Sequence, residues 1–259
     1  SYRDYYFSSQ RQGELRYFQG LGIDNIYNNL YKRFWFGRRT GIELPYEAAG
    51  IVPTAAYKQK TFDEGWSAGD TINASIGQGF FEVSPLQLAL NTAAIANGGT
   101  VYRPRLLHET VDDSRQRIQA FDPKRNRRIK MDREHLTVVR QGMWRVCNSE
   151  TGTAFGNTDR NTGEFVSKWR KTNPEGEEPI IIAGKTGTAE VGAKREDGTY
   201  ADAHAWFTCY APFDKPEVVV TVFLNEGGEG SSYAVPIADR VLRAYFELTE
   251  KRKRGLVLR

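Results

Sequence analysis

The feature that most constrains this 259-residue sequence is its last third, where three apolar runs rich in β-branched and aromatic residues are followed by one amphipathic stretch. The run 179–183 (Pro-Ile-Ile-Ile-Ala) reads as a buried strand, and 204–210 and 217–225 read as two more. Pro212 and Pro216 bound a short turn between the last two, and 192–202 supplies a long hairpin loop between the first two. From 232 to 250, Ile237, Val241, Leu242, Tyr245, Phe246 and Leu248 recur at helical spacing, as a helix packed on that sheet requires. Helical patterns upstream and hairpin-linked strands downstream define an α+β chain, an antiparallel sheet flanked by helices.

Upstream, the stretch 5–36 reads mostly helical. Ile26, Tyr27, Leu30, Tyr31 and Phe34 share a face, with Asp24 the expected N-cap and Gly37 the stop. The stretch 48–69 reads as loop, punctuated by Gly50, Pro53, Gly65 and Gly69. Ser84 and Pro85 open a helix whose Ala-rich face runs to Ala96, and Asn97-Gly98-Gly99 ends it. A polar strand-and-loop region follows Val101, a second amphipathic helix spans 133–147, and 162–178 is a polar surface excursion. No composition shift marks a boundary, so 1–259 is expected to be one portion of a single domain. Glu14 to Gly20 fits E-x-x-Y-x-Q-G, a protease-recognition pattern used in recombinant proteins, and natural sequence is the simpler reading.

Composition narrows the classes. With 39% hydrophobic and 26% charged residues the chain is not intrinsically disordered. Its longest apolar runs, such as 218–224, are far short of the roughly 18 residues that cross a bilayer. The net charge of +4 is read as spread along the chain, apart from Lys251-Arg252-Lys253-Arg254. That run is expected to be a solvated tail, and nucleic acid is not an expected partner. Cys147 and Cys209 make no disulfide framework, and His108, His135 and His204 lack metal-ligand spacing, so no metal is expected. The chain opens on Ser1, without a Met or a secretory leader, and is expected to be part of a longer protein.

The chemistry-bearing segment is Gly184-Lys185-Thr186-Gly187-Thr188-Ala189, placed at the exposed end of the strand 179–183. Lys185 brings a fixed positive charge, and Thr186 and Thr188 bring hydroxyls suited to a carboxylate. Gly187 lets a substrate backbone approach, and the Thr188 N–H can form half of an oxyanion hole. A Walker loop is excluded, because its first glycine would fall on Pro179. K-T-G belongs with S-x-x-K and S-D-N in the signature of β-lactamases and penicillin-binding proteins. Three further segments carry the likeness: Gly37-Arg38-Arg39-Thr40-Gly41-Ile42-Glu43-Leu44-Pro45, then Gly69 to Gly79 with Ser84-Pro85-Leu86-Gln87-Leu88-Ala89, then Gly152-Thr153-Ala154. The Gly77-Gln78-Gly79 piece reads as a structural turn first and a substrate contact second. Together these segments resemble the transpeptidase domain of class B penicillin-binding proteins, most of all the penicillin-binding protein 2 group of cell elongation.

That resemblance implies a penicillin-binding/transpeptidase fold of the serine β-lactamase type, here incomplete on its N-terminal side. It implies a cofactor-free acyl transfer, in which a serine attacks the D-Ala-D-Ala bond of a peptidoglycan stem, or a β-lactam ring, and an amine resolves the ester. It further implies a membrane glycosyltransferase partner and an anchor in the inner membrane, with the catalytic domain periplasmic. By motif position the catalytic residues are Lys185 and Asp4, Thr186, Gly187 and Thr188 bind substrate, and Thr188 also serves the oxyanion. Asp4 is placed by Asp4-Tyr5-Tyr6-Phe7, where Tyr2 stands in the position of the family's second-motif serine. No serine in the sequence has a lysine three residues on, so the S-x-x-K nucleophile is expected outside these residues. Two other readings stay open: a non-catalytic scaffold module that keeps the K-T-G site, and a serine β-lactamase or β-lactam sensor domain.

Overall fold

The computed structural model describes residues 6–11, 14–158, 165–167, 180–190, 192 and 203–254. The chain divides into two compact units between Ser84 and Pro85. The sequence signals a helix start at that point and nothing more.

In the first unit β1 (Tyr6–Arg11) and β2 (Glu14–Gln19) pair antiparallel, with Tyr6 opposite Gln19 and Arg11 opposite Glu14. This corrects the helical reading of 5–36 over its first half. The Tyr- and Phe-containing runs favour extended backbone, and two residues separate the strands. Helix begins only at α1 (Gly22–Tyr27), which continues into a π-helical turn at Asn28–Arg33. Asp24 lies in the first turn; the N-cap position is Leu21, which makes no side-chain cap. Trp35 (φ 63°) and Gly37 (φ 74°) then reverse the backbone.

The expected loop 48–69 instead holds α2 (Ala55–Phe62) and opens α3 (Ala68–Ser75). Caps explain both. The Tyr57 N–H donates to Thr54 Oγ1 at 3.0 Å, and Ser67 with Asp70 forms a reciprocal capping box. The buried residue of α2 is Lys58, so apolar periodicity could not reveal this helix. Lys58 Nζ donates to Asp70 Oδ2 at 2.9 Å, pairs with Glu64 at 3.2 Å and lies 5.7 Å from the Phe80 ring centre. Tyr57, Phe62 and Trp66 surround that same ring.

The second unit opens with α4 (Pro85–Ala96), which matches the sequence reading. Two short antiparallel ribbons follow: β3 (Thr100–Tyr102) pairs with β6 (Arg125–Arg128), and β4 (Glu109–Val111) with β5 (Arg117–Ala120). Next comes α5 (Arg133–Asn148), capped by Asp132, whose Oδ1 accepts from the Glu134 and His135 N–H groups. β7 (Gly156–Thr158) and β8 (Phe165–Ser167) form a further pair.

The main sheet is β9 (Ala183–Ala189), β10 (His204–Ala211) and β11 (Val218–Leu224), antiparallel in the order β11-β10-β9. The first strand therefore begins where the expected strand 179–183 ends, and K-T-G lies inside a strand instead of beyond one. The turn after β10 carries a cis Ala211–Pro212 bond, and Arg140 on α5 donates to Tyr210 Oη at 3.2 Å and to the Phe213 carbonyl at 2.6 Å. A π-helical turn at Gly230–Ala234 leads into α6 (Val235–Lys253). The buried face of α6 is Val235, Ala238, Leu242 and Phe246, with Tyr245 packed beside it. Ile237, Val241 and Leu248, expected on that face, are exposed. The core joins α6 to Ala205, Phe207, Cys209 and Ala211 of β10 and to Val220 and Val222 of β11. No helix among the described residues is long and apolar enough to cross a membrane.

Candidate active site

The site is built on β9. Gly184 stands opposite Cys209, Lys185 opposite Thr208, Thr186 opposite Phe207 and Gly187 opposite Trp206. Strand alternation puts Gly184, Thr186 and Thr188 on one face with Phe207 and Cys209, and Lys185 and Gly187 on the other with Trp206 and Thr208. Thus Lys185 is set apart from the two threonines by the pleat. β9 is an outer strand of its sheet, with β10 on one side and no strand paired on the other among the described residues. Such an edge offers backbone N–H and C=O groups to an extended peptide.

Each side chain is held differently. Lys185 is exposed, and its Nζ donates to the Thr186 carbonyl at 2.6 Å. Thr186 is buried at 9% exposure, and its hydroxyl lies 2.7 Å from the Thr153 hydroxyl. Thr188 is exposed. An added Cβ on Gly187 would lie 3.1 Å from Trp206 Cβ. The closer approach comes from Gly230: a Cβ there would be 2.2 Å from the Trp206 oxygen and 2.4 Å from the Gly187 oxygen. The backbone after β11 therefore packs directly over the K-T-G strand.

Gly152-Thr153-Ala154 is the support of β9. A Cβ on Gly152 would meet the Arg145 and Val146 carbonyls at 2.3 and 2.4 Å, the Ala154 N–H donates to Val146 at 2.9 Å, and Ala154 is fully buried. This pins the segment to the end of α5 and aims Thr153 at Thr186. Asn148 adds a second tie, donating to the Ile182 carbonyl at 2.8 Å. On the Lys185 face, Thr208 is linked to Thr92 of α4 and to Thr221 of β11, both at 2.8 Å. This row of hydroxyls was not legible in sequence, since its members lie 116 and 13 residues apart.

Cys147 and Cys209 are free thiols, both buried. Burial pushes the Cys147 thiol up to about 12, against a donated bond from the Gly184 N–H, and pushes Cys209 well upward too. Neither can serve as a nucleophile at neutral pH. Asp4, with the rest of 1–5, lies outside the described residues.

Of the other signature segments, those at 37–45 and 69–79 act within the first unit, while Pro85 to Ala89 form the first turns of α4 in the second. The Thr40 and Gly41 N–H groups donate to the Glu47 carboxylate at 2.6 and 3.1 Å, and Arg38 stacks on Tyr31 at 4.1 Å. Burial alone would raise the Glu47 carboxyl, yet these bonds with Thr40 and Gly41 hold it low. In Gly77-Gln78-Gly79 both glycines have positive φ (77° and 80°), and the Gln78 N–H returns to the Asn73 carbonyl at 2.9 Å, closing α3.

An edge strand carrying Lys-Thr-Gly-Thr, braced by a Gly-Thr-Ala segment at a helix end, defines the class. The chain belongs to the penicillin-binding protein transpeptidase domain family, whose family model matches residues 9–243. Among curated proteins it is 35% identical to the peptidoglycan D,D-transpeptidase MrdA of Haemophilus influenzae over 238 residues, 87% of this chain and 33% of that protein. It is 33% identical to MrdA of Acinetobacter baumannii, covering 90% of this chain and 32% of the relative. Among solved structures it is similar to the penicillin-binding protein PBP2 of Pseudomonas aeruginosa in complex with WCK 5153, with TM-score 0.63 and 32% identity over 87% of this chain and 44% of that one. It is similar also to PBP2 of Helicobacter pylori in complex with MreC, with TM-score 0.65 and 29% identity over 88% of this chain and 36% of that one. The chain spans about a third of the length of the curated relatives it matches. These neighbours bear out the α+β transpeptidase fold expected from sequence.

Proposed function

We propose that this chain is the C-terminal portion of the transpeptidase domain of a peptidoglycan D,D-transpeptidase that crosslinks stem peptides through a serine acyl-enzyme and is acylated by β-lactams. The observation that carries the reading is the braced edge strand β9, with Lys185 exposed on it and Thr153 locked to Thr186 at 2.7 Å behind it. An extended stem peptide adds to the edge of β9 that no described strand covers, and Lys185 faces its carboxylate. The Thr188 N–H supports the oxyanion, and Asp4 takes the place of the second-motif residue. The attacking serine and its lysine come from an S-x-x-K motif outside these 259 residues. The protein works at the inner membrane with its catalytic domain periplasmic, beside a membrane glycosyltransferase, and needs no cofactor. Support for that setting comes from the relatives: MrdA proteins are named as peptidoglycan transpeptidases, and one structural neighbour belongs to a peptidoglycan synthase complex.

Labelling of the full-length protein with a fluorescent penicillin tests the reading. Lys185→Ala removes one charge-assisted contact, worth about 1.5–3 kcal/mol, so acylation should fall about 10- to 100-fold. Unchanged acylation would remove Lys185 from the site.

A further inference from the structure

Apart from Lys251–Arg254, the positive charge of this protein is concentrated in one stretch. Residues 101–130 hold nine Lys and Arg against four Asp and Glu, a net of +5. The whole chain is +4, which leaves −1 for everything else. This corrects the reading of the basic residues as spread out.

The β3–β6 ribbon displays that charge. Its register sets Thr100 opposite Arg128 and Tyr102 opposite Arg125, while Val101 and Arg127 form the pair between them. Val101 is buried at 5% exposure and Ile129 at 4%, so the ribbon has an inner side. Arg125 and Arg128 are exposed, as is Lys124, with Tyr102 at 40% exposure among them. Among the described residues Lys124, Arg125 and Arg128 form no salt bridge. The ribbon is fixed at its base. Gly99 has φ 109°, a Cβ there would lie 2.3 Å from the Ile129 oxygen, and the Ile129 N–H donates to the Gly99 carbonyl at 2.7 Å. At its other end the Arg103 N–H donates to the Lys124 carbonyl at 2.9 Å. A positive row on a rigid ribbon is already organised for an anionic partner.

We infer that the β3–β6 ribbon is a docking surface for the peptidoglycan polymer itself, recognised through the repeated carboxylates of its stem peptides, apart from the β9 site that acts on one stem at a time. This inference rests on the transpeptidase reading. Arg128 and Arg125 stand opposite Thr100 and Tyr102, two residues apart on β3 across a bulge, which sets them about 7 Å apart along the ribbon and suits successive anions on a chain. A lipid surface would call for apolar side chains among the charges. On the β3–β6 ribbon the exposed large apolar side chain is Tyr102; the exposed Leu106 and Leu107 lie in the connection after β3, and the exposed Val111 and Ile118 belong to the β4–β5 ribbon, whose Arg117 is already paired with Glu109 at 2.7 Å.

The test is co-sedimentation of the full-length protein with purified insoluble peptidoglycan, native and carboxyl-amidated, alongside vesicles of anionic phospholipid. The double variant Arg125→Glu/Arg128→Glu should bind native peptidoglycan about tenfold more weakly. Amidated peptidoglycan and added salt should weaken the wild type similarly, and these arms require no variant to fold. Equal binding to amidated polymer, unchanged binding by the double variant, or binding to vesicles alone would each overturn the inference. Penicillin labelling of the same samples reads the β9 site separately. Labelling should persist in the double variant, and its absence from the wild type would sink the transpeptidase reading instead.

Discussion

At the residue scale, the hydroxyl pair Thr153–Thr186 is the contact on which the site's geometry turns. Thr186 is buried, so deleting its partner strands a polar group, at a cost of about 1–3 kcal/mol. Thr153→Val should lower both stability and penicillin acylation, and Thr153→Ser should restore both; a valine variant that melts and acylates like wild type would contradict the role. The thiols give an independent check. With Cys147 held at about 12 and Cys209 well above its ordinary range, native protein should not react with a thiol reagent at pH 8, and denatured protein should react at both positions. Much of this scale was legible in sequence. K-T-G and Gly-Thr-Ala were visible as motifs, but the bond joining them spans 33 residues, and no local pattern encodes it. The motif reading gave Lys185 and Thr186 to the same substrate, whereas the pleat turns Thr186 to the opposite face of β9, where it is buried.

At the element scale, caps and glycines decide the structure. Gly230→Ala forces a methyl against two backbone oxygens that cannot yield, and overpacking of this kind costs about 1–3 kcal/mol. The variant should melt at a lower temperature and label more weakly with penicillin; an unshifted melt would contradict the contact. In the first unit, burial alone would raise the Asp70 carboxyl, but Lys58 and Ser67 hold it below the ordinary 3.8. Its contribution is therefore present above pH 3.8 and is lost as pH falls through the depressed value. The hydrogen bond with Asp70 raises Lys58 above 10.5, so the lysine's contribution is present below that pH and is lost as pH rises through the raised value. Asp70→Asn should lower the melting temperature at pH 7, and the difference from wild type should shrink progressively as pH falls below 3.8; a constant difference would contradict the ion pair. Helices with an apolar stripe, α4 and α5, were legible in sequence. α2 was not, because its inward residue is a lysine and its signal is the Thr54 cap.

At the scale of the molecule, the sheet and its closing helix followed from hydrophobic periodicity, although α6 turns a different set of its apolar residues inward. The division at Ser84 left no mark in composition. The basic run itself was legible, since Lys124, Arg125, Arg127, Arg128 and Lys130 fall within seven consecutive residues; what no local pattern encodes is its pairing with β3, which holds the run extended. In the proposed transpeptidase, these residues form the carboxylate-facing half of an acyl-transfer site whose nucleophile lies outside them. Intact mass after incubation with excess benzylpenicillin tests this assignment most directly. No adduct is expected on the 259-residue chain, and one adduct is expected on a longer chain in which these residues follow S-x-x-K. A stoichiometric adduct on the 259-residue chain, or none on the longer chain, would contradict the assignment.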